Sequence, residues 1–135
     1  MSNPADFKFL IVDDFSTMRR IVRGLLKESG YVNADEAEDG VVALNMLKNG
    51  KFDFVVSDIN MPNMNGFEFL SKLPNIADGD KIPVVMLTSR TSSKHREKAF
   101  QLGASGFLNK PCKDEEFFET VIRLTENTSL DVVTP

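Results

Sequence analysis

Short, nearly unbroken apolar runs alternate with helical patterns along this chain, and this alternation is the strongest constraint on its fold. The clear runs lie at residues 7–12, 52–57 and 82–87, with a weaker one at 33–38 and a brief one at 106–108. Strands that alternate with helices at this spacing indicate βαβ units and a parallel sheet. Runs that are apolar throughout are typical of a sheet that helices cover on both faces.

Helical patterns fill the intervals between these runs. Apolar residues recur at spacings of three and four within residues 16–28, where Ser16 is predicted to be the N-cap, and further helices are predicted at 41–47, 67–73, 92–102 and 113–126. We therefore predict an α/β fold: a doubly wound (βα)5 sandwich of the flavodoxin-like type, whose five parallel strands have the order 2-1-3-4-5.

Composition narrows the class of protein. A chain of 135 residues is long enough for one domain, predicted at residues 1–127 and followed by a disordered tail at 128–135. The net charge of −4 gives no general attraction to nucleic acids or to anionic membranes. The single cysteine, the lack of an apolar run of about 20 residues and the lack of a signal peptide lead us to expect a cytoplasmic protein.

Polar side chains stand at the carboxyl ends of the predicted strands. The first run ends in Asp13 and Asp14, the second in Asp58, the third in Thr88 and the last in Lys110. Ligands of doubly wound folds bind beyond these strand ends, so we expect the five residues to converge at one rim. For any single acid, a turn or helix-capping role is an equally good explanation. The coincidence of all five at strand ends indicates a site.

Crowded carboxylates repel one another unless a cation or a proton lies among them. A few oxygen ligands, with water completing the coordination shell, suit Mg²⁺, which in turn holds phosphate. The ammonium of Lys110 and the hydroxyl of Thr88 are suitable partners for phosphoryl oxygens. Because a carboxylate can act as a nucleophile, the set predicts metal-assisted phosphoryl transfer to an aspartate.

The residues that carry this chemistry belong to five segments that together resemble a response-regulator receiver domain. The segments are VDDFSTMRRIVR (12–23), AEDG (37–40), SDINMPNMNG (57–66), MLTSR (86–90) and GASGFLNKP (103–111). The resemblance covers roughly residues 7–126, and its first half is most similar to chemotaxis members of the family. It implies a single-domain response regulator of two-component signalling. Such a protein is not an enzyme in the usual sense, although it catalyses its own phosphorylation and dephosphorylation.

The resemblance also implies roles for individual acids. Asp58 would be the phosphoacceptor, receiving the phosphoryl group from a phosphohistidine of a sensor histidine kinase. Mg²⁺ would be bound directly by Asp14 and Asp58, through a water molecule by Asp13, and by the backbone carbonyl of Asn60.

A conformational switch is implied in the same way. Thr88 would bond a phosphoryl oxygen and move toward it, and Lys110 would pair with the phosphoryl group. Phe107 occupies the aromatic switch position and would rotate inward as Thr88 moves. The peptide between Lys110 and Pro111 would be cis, an isomer that only X-Pro bonds adopt readily.

Some positions depart from the chemotaxis members of the family. Those members usually carry Tyr at the position of Phe107, Trp at that of Ile59 and Glu at that of Arg90. The reversed charge of Arg90 predicts an altered rate of dephosphorylation. Residues 81–126 resemble receivers in general, and they contain the fourth helix, fifth strand and fifth helix, which would form the output face. The expected partners are a sensor kinase, a phosphatase and an output protein. The flagellar motor switch is one candidate output protein, although these departures argue against it. A monomer is expected.

Three alternatives remain open from the sequence. The chain could be a receiver that serves as a binding scaffold without phosphorylation. It could be an aspartate-nucleophile phosphatase of the haloacid dehalogenase type, but such enzymes need a second acid where this chain has Asn60. It could be a flavodoxin-like cofactor-binding protein, but Asp13 and Asp14 would repel the phosphate of a cofactor.

Overall fold

Five strands and five α-helices alternate along the chain, as the apolar runs predict. The computed structural model describes residues 6–76, 79–89, 93–110 and 113–129. The strands are β1 (Lys8–Val12), β2 (Asn33–Ala37), β3 (Phe54–Ser57), β4 (Val84–Thr88) and β5 (Gly106–Asn109). The helices are α1 (Ser16–Glu28), α2 (Gly40–Asn49), α3 (Gly66–Lys72), α4 (Ser93–Gln101) and α5 (Asp114–Ser129). Two short 3-10 turns, Leu73–Asn75 and Gly79–Lys81, lie between α3 and β4.

The strands form one sheet in the order β2-β1-β3-β4-β5, and every neighbouring pair is parallel. The predicted fold class and strand order are therefore confirmed. The carboxyl ends lie in register at one edge: Val12 of β1 pairs with Ser57 of β3, and Thr88 of β4 pairs with Asn109 of β5. Because Asp13, Asp58 and Lys110 each directly follow one of these strand ends, the sheet delivers them to the same edge.

Two apolar clusters, one on each face of the sheet, form the core. Alternate residues of β1 enter different clusters: Leu10 and Val12 join one, whereas Phe9 and Ile11 join the other. The first cluster contains residues of α2, α3 and α4, and the second contains residues of α1 and α5. Both faces of β1, β3 and β4 are thus buried, which explains why their runs are apolar without alternation. Each fully buried large apolar side chain contributes about 1.5–3 kcal/mol to folding.

The helix ends differ in part from the sequence prediction. Ser16 is the first residue of α1 rather than its cap; Phe15 occupies the cap position and its side chain makes no capping hydrogen bond. The carboxylate of Asp13 accepts the N–H of Phe15 at 2.9 Å and so closes the turn that leads into α1. Helix α5 extends to Ser129 and so includes the first two residues of the predicted tail, and residues 130–135 lie outside the described part. Among the described helices, none has the length and apolar character required to cross a bilayer.

Gly66 begins α3 at a point where the backbone passes very close to the end of β3. Its N–H donates to the carbonyl of Ile59 at 2.7 Å. A Cβ at this position would lie 2.5 Å from the carbonyl oxygen of Asp58 and 2.6 Å from the terminal methyl of Met86. A side chain of any size would therefore push the backbone of Asp58 away from α3.

Replacing Gly66 with Ala is expected to lower the free energy of unfolding by about 1–3 kcal/mol, because the added methyl group overpacks the junction. Denaturant titration followed by circular dichroism measures this change. Gly24→Ala is the matched control: Gly24 is exposed within α1 and a Cβ there meets nothing within 4 Å. The control is expected to stabilise the protein by about 0.5–1 kcal/mol. Equal effects of the two substitutions would contradict the close-approach explanation.

Candidate functional site

The ammonium group of Lys110 lies between two buried carboxylates at the carboxyl edge of the sheet. Its Nζ donates to Oδ2 of Asp13 at 2.8 Å and to Oδ2 of Asp58 at 3.1 Å. The side chains of Asp13 and Asp58 are only 7% and 11% exposed, and that of Lys110 is 16% exposed. Three residues that are far apart in sequence thus form one buried, charge-assisted hydrogen-bond group.

The charges in this group do not balance. Burial raises the pKa of Asp13, and the neighbouring Asp58 adds to the rise, although hydrogen bonds from Lys110 and Phe15 act in the opposite direction. Burial also acts to lower the pKa of Lys110, but the two acids outweigh it and raise that pKa, so the ammonium stays charged. One ammonium therefore does not fully compensate two buried carboxylates.

A third acid completes a cluster that suits a hard cation. Carboxylate oxygens of Asp13, Asp14 and Asp58 lie within 4.8 Å of one another, and Asp14 is exposed while the other two are buried. Such a set, all oxygen and open to solvent on one side, matches the preference of Mg²⁺ for a few carboxylates with water in the remaining positions. The residues therefore fit a magnesium ion, which would also relieve the excess negative charge.

Asp58 is held by hydrogen bonds to the neighbouring strand β1 and to the next residue, Ile59. Its N–H donates to the carbonyl of Val12 at 2.9 Å, and its Oδ1 accepts the N–H of Ile59 at 2.7 Å. Thr88 is fully buried at the end of the adjacent strand β4, and its carbonyl accepts the N–H of Lys110 at 2.7 Å. The predicted phosphoacceptor, the predicted hydroxyl and the predicted ammonium therefore stand at adjoining strand ends.

The other two predicted residues occupy different surroundings. Asn60 is exposed and lines an open depression together with Asp14, Met61, Pro62 and Asn65. Phe107 is 8% exposed and belongs to the core cluster that α2, α3 and α4 cover. The guanidinium of Arg96 lies over the ring of Phe107, 5.9 Å from its centre. The structure thus places Asn60 in an exposed position beside Asp14 and the ring of Phe107 in the core, beneath Arg96.

Sequence reasoning missed a contact that fixes the loop between β3 and α3. Asp39 caps α2 by accepting the N–H of Val42 at 2.9 Å, and its other oxygen accepts the side-chain amide of Asn63 at 2.8 Å. Asn63 has a positive φ of 65°, a conformation that Asn tolerates better than most residues. An acid just before a helical pattern signals the cap, but nothing in the sequence indicates its partner Asn63.

The chain matches the response regulator receiver domain family over residues 9–122. It belongs to that family. The chemotaxis protein CheY-3 of Vibrio cholerae is 47% identical over 106 residues, which are 78% of this chain and 82% of the relative. The chemotaxis protein CheY of Pseudomonas aeruginosa is 40% identical over 122 residues, which are 90% of this chain and 98% of the relative.

Solved structures of receivers have the same fold. The chemotaxis protein CheY4 of Vibrio cholerae is 36% identical, with a TM-score of 0.80 and coverage of 87% of this chain and 97% of that one. The receiver domain of a signal transduction histidine kinase from Syntrophus aciditrophicus is 30% identical, with a TM-score of 0.81 and coverage of 90% and 91%. The chain is thus a CheY-like receiver, consistent with two-component signalling. Arg90 and the predicted cis peptide before Pro111 lie outside the described residues.

The capping acid of this receiver gives a pH prediction. The hydrogen bond from Val42, and then that from Asn63, lowers the pKa of Asp39. A lowered pKa adds stability that is present above the unfolded value of about 3.9 and is lost as the pH falls through the folded value. Asp39→Asn should therefore lower the free energy of unfolding by about 1 kcal/mol at pH 7, and by less at pH 3.

Urea titrations at several pH values measure this difference. Glu28→Gln, at an exposed acid that ends α1, is the control and should show no such trend. A difference between wild type and Asp39→Asn that is the same at pH 3 and pH 7 would show that the ionised carboxylate is not what holds the loop.

Proposed function

We propose that this receiver accepts a phosphoryl group on Asp58 from the phosphohistidine of a sensor histidine kinase. The observation that carries the proposal is the pairing of Asp58 with Lys110 beside two further acids at one strand edge. The side chain of Asp58 is 11% exposed, so its carboxylate is reachable from the rim. Membership of the receiver family supports the same role.

In the proposed reaction, a carboxylate oxygen of Asp58 forms a bond to phosphorus while the phosphorus–nitrogen bond of the donor breaks. The donor imidazole leaves with the electron pair of that bond. Lys110 already points its ammonium at Asp58 and would stabilise the negative charge of the transferred group. The hydroxyl of Thr88 would then bond a phosphoryl oxygen, since its strand end adjoins that of β3.

A magnesium ion would neutralise charge on the phosphoryl oxygens when it is bound. Asp14 and Asp58 would hold it directly, Asp13 through a water molecule and Asn60 through its backbone carbonyl. The unequal number of carboxylates and ammonium groups supports this assignment, because the residues present leave negative charge that a divalent cation would compensate.

The proposed output is binding of another protein to the surface formed by α4, β5 and α5. Phe107 of β5 lies beneath Arg96 of α4, and Phe100 and Ile122 on the two helices are exposed apolar residues. Thr88 lies two residues after Met86 on the same face of β4, and Met86 is paired with Phe107 of β5. Movement of Thr88 toward a phosphoryl group would therefore change the space available to Phe107. The phosphate shifts the balance only by its differential affinity for the two states.

Phosphorylation is tested with Mg²⁺ and acetyl phosphate, followed by intact mass. We expect a mass gain of one phosphoryl group, lost on chelation of the metal and in Asp58→Asn. Asp53→Asn is the matched control, because Asp53 is an exposed acid just before the opposite end of β3 and should leave labelling unchanged.

An unmodified wild-type protein would overturn the phosphoacceptor assignment and favour a receiver used as a scaffold. Steady hydrolysis of a stable phosphate monoester would favour an aspartate-nucleophile phosphatase.

We further infer that the flagellar motor switch is the first output partner to test, because two similar relatives are chemotaxis proteins. A motor-switch peptide should capture the protein treated with beryllium fluoride and Mg²⁺, and should not capture untreated protein or Asp58→Asn. Phe107→Tyr restores the hydroxyl of chemotaxis members and is expected to strengthen capture. No capture in any state would assign the output to a different protein.

A further inference from the structure

All four polar groups of Asp13 have partners, and these partners fix the residue from two sides. One carboxylate oxygen accepts Lys110 and the other accepts the N–H of Phe15. The backbone N–H of Asp13 donates to the carbonyl of Ala37 on β2, at 3.1 Å. Its carbonyl accepts Nη1 of Arg19 on α1, at 2.6 Å. The last contact is made by a side chain that the proposed chemistry does not use.

Arg19 is itself oriented by β2. Its Nε donates to Oε1 of Glu36 at 2.8 Å, so one guanidinium bridges Glu36 and the Asp13 carbonyl. Glu36 directly precedes Ala37, and two adjacent residues of β2 therefore act on opposite ends of the Asp13 backbone. The planar guanidinium suits this task because its donors have fixed directions.

Arg23 also forms an ion pair with Glu36, but it does not help to hold Asp13. Its Nε and Nη2 both lie 2.8 Å from Oε2 of Glu36, and no contact between Arg23 and Asp13 is present among the described residues. The side chain of Arg23 is 41% exposed, against 18% for Arg19. Burial opposes the ionisation of Glu36, but the two arginines outweigh it and lower its pKa, so Glu36 stays ionised.

We propose that Arg19 is a positioning residue for the metal-binding acids, acting on Asp13 through its carbonyl and held in place by Glu36. This proposal rests on the proposed function, in which Asp13 takes part in Mg²⁺ binding. Without Arg19, the segment after β1 would lose one of its two backbone anchors. The Asp13 carboxylate would then sample more orientations relative to Asp14 and Asp58, and each productive orientation would be less populated.

The matched pair Arg19→Gln and Arg23→Gln tests the proposal, because each variant removes one arginine from Glu36 and only the first removes a contact to Asp13. Mg²⁺ affinity of the unphosphorylated protein, measured by isothermal titration calorimetry, should fall about tenfold in Arg19→Gln. It should change less than about twofold in Arg23→Gln, since a half-exposed ion pair contributes little. Thermal unfolding of both variants shows whether they are equally folded.

A second readout needs no metal. In Arg19→Gln the carbonyl ¹³C shift of Asp13 should change and amide hydrogen exchange of Phe15 should accelerate, whereas Arg23→Gln should leave both unchanged. Equal responses of the two variants, or no response of Arg19→Gln, would overturn the proposal. If the wild type binds no Mg²⁺, the proposed function fails, and the metal-free readout still decides whether Arg19 positions Asp13. Should Arg19→Gln not fold, Arg19→Lys replaces it, because an ammonium cannot reproduce the fixed fork.

Discussion

The ammonium of Lys110 between the carboxylates of Asp13 and Asp58 is the interaction around which the rest of the site is arranged. β5 lies two strands away from β3, a distance of about 10 Å between strand axes. A long side chain is needed to cross β4, and a charged one is needed to make two buried acids tolerable. The sheet order, the strand ends and the burial of the rim therefore bring Lys110 into contact with two acids that precede it by 52 and 97 positions.

Much of the fold could be predicted because burial on both faces leaves a plain signal in the sequence. Even the weak β2 segment, with Asp35 and Glu36 within it, was recognisable from its place between two helical patterns. What could not be predicted were local details that tertiary contacts decide. Ser16 has the chemistry of an N-cap, yet α1 begins at Ser16, and Phe15 takes the cap position without a side-chain hydrogen bond. The 3-10 turn after α3 contains the exposed Pro74 and the buried Leu73, and the packing of Leu73 against the core is a tertiary contact of this kind.

The acids of the site were predictable for a different reason: the topology rule places every strand end on one rim. The contacts that support these acids could not be predicted from the sequence. Glu36 and Arg19 are 17 residues apart, and Asp39 and Asn63 are 24 apart. Such pairs form where a helix packs on an edge strand or where two loops meet. They produce no periodic pattern in the sequence from which they could be predicted. The resemblance to receivers indicates the residues that are proposed to contact the phosphoryl group, whereas the side chains that hydrogen-bond to those residues are identified only from the three-dimensional structure.

The backbone hydrogen bond from Lys110 to the carbonyl of Thr88 limits which segments can be exchanged between receivers. The two residues proposed to contact the phosphoryl group are joined through the main chain, so their relative height along the sheet is set by the β4–β5 register. A chimera that transplants β5 alone would have to recreate this register by chance. The transferable unit is the strand pair, and recombination boundaries placed before Val84 would preserve it, whereas boundaries between Thr88 and Gly106 would divide it.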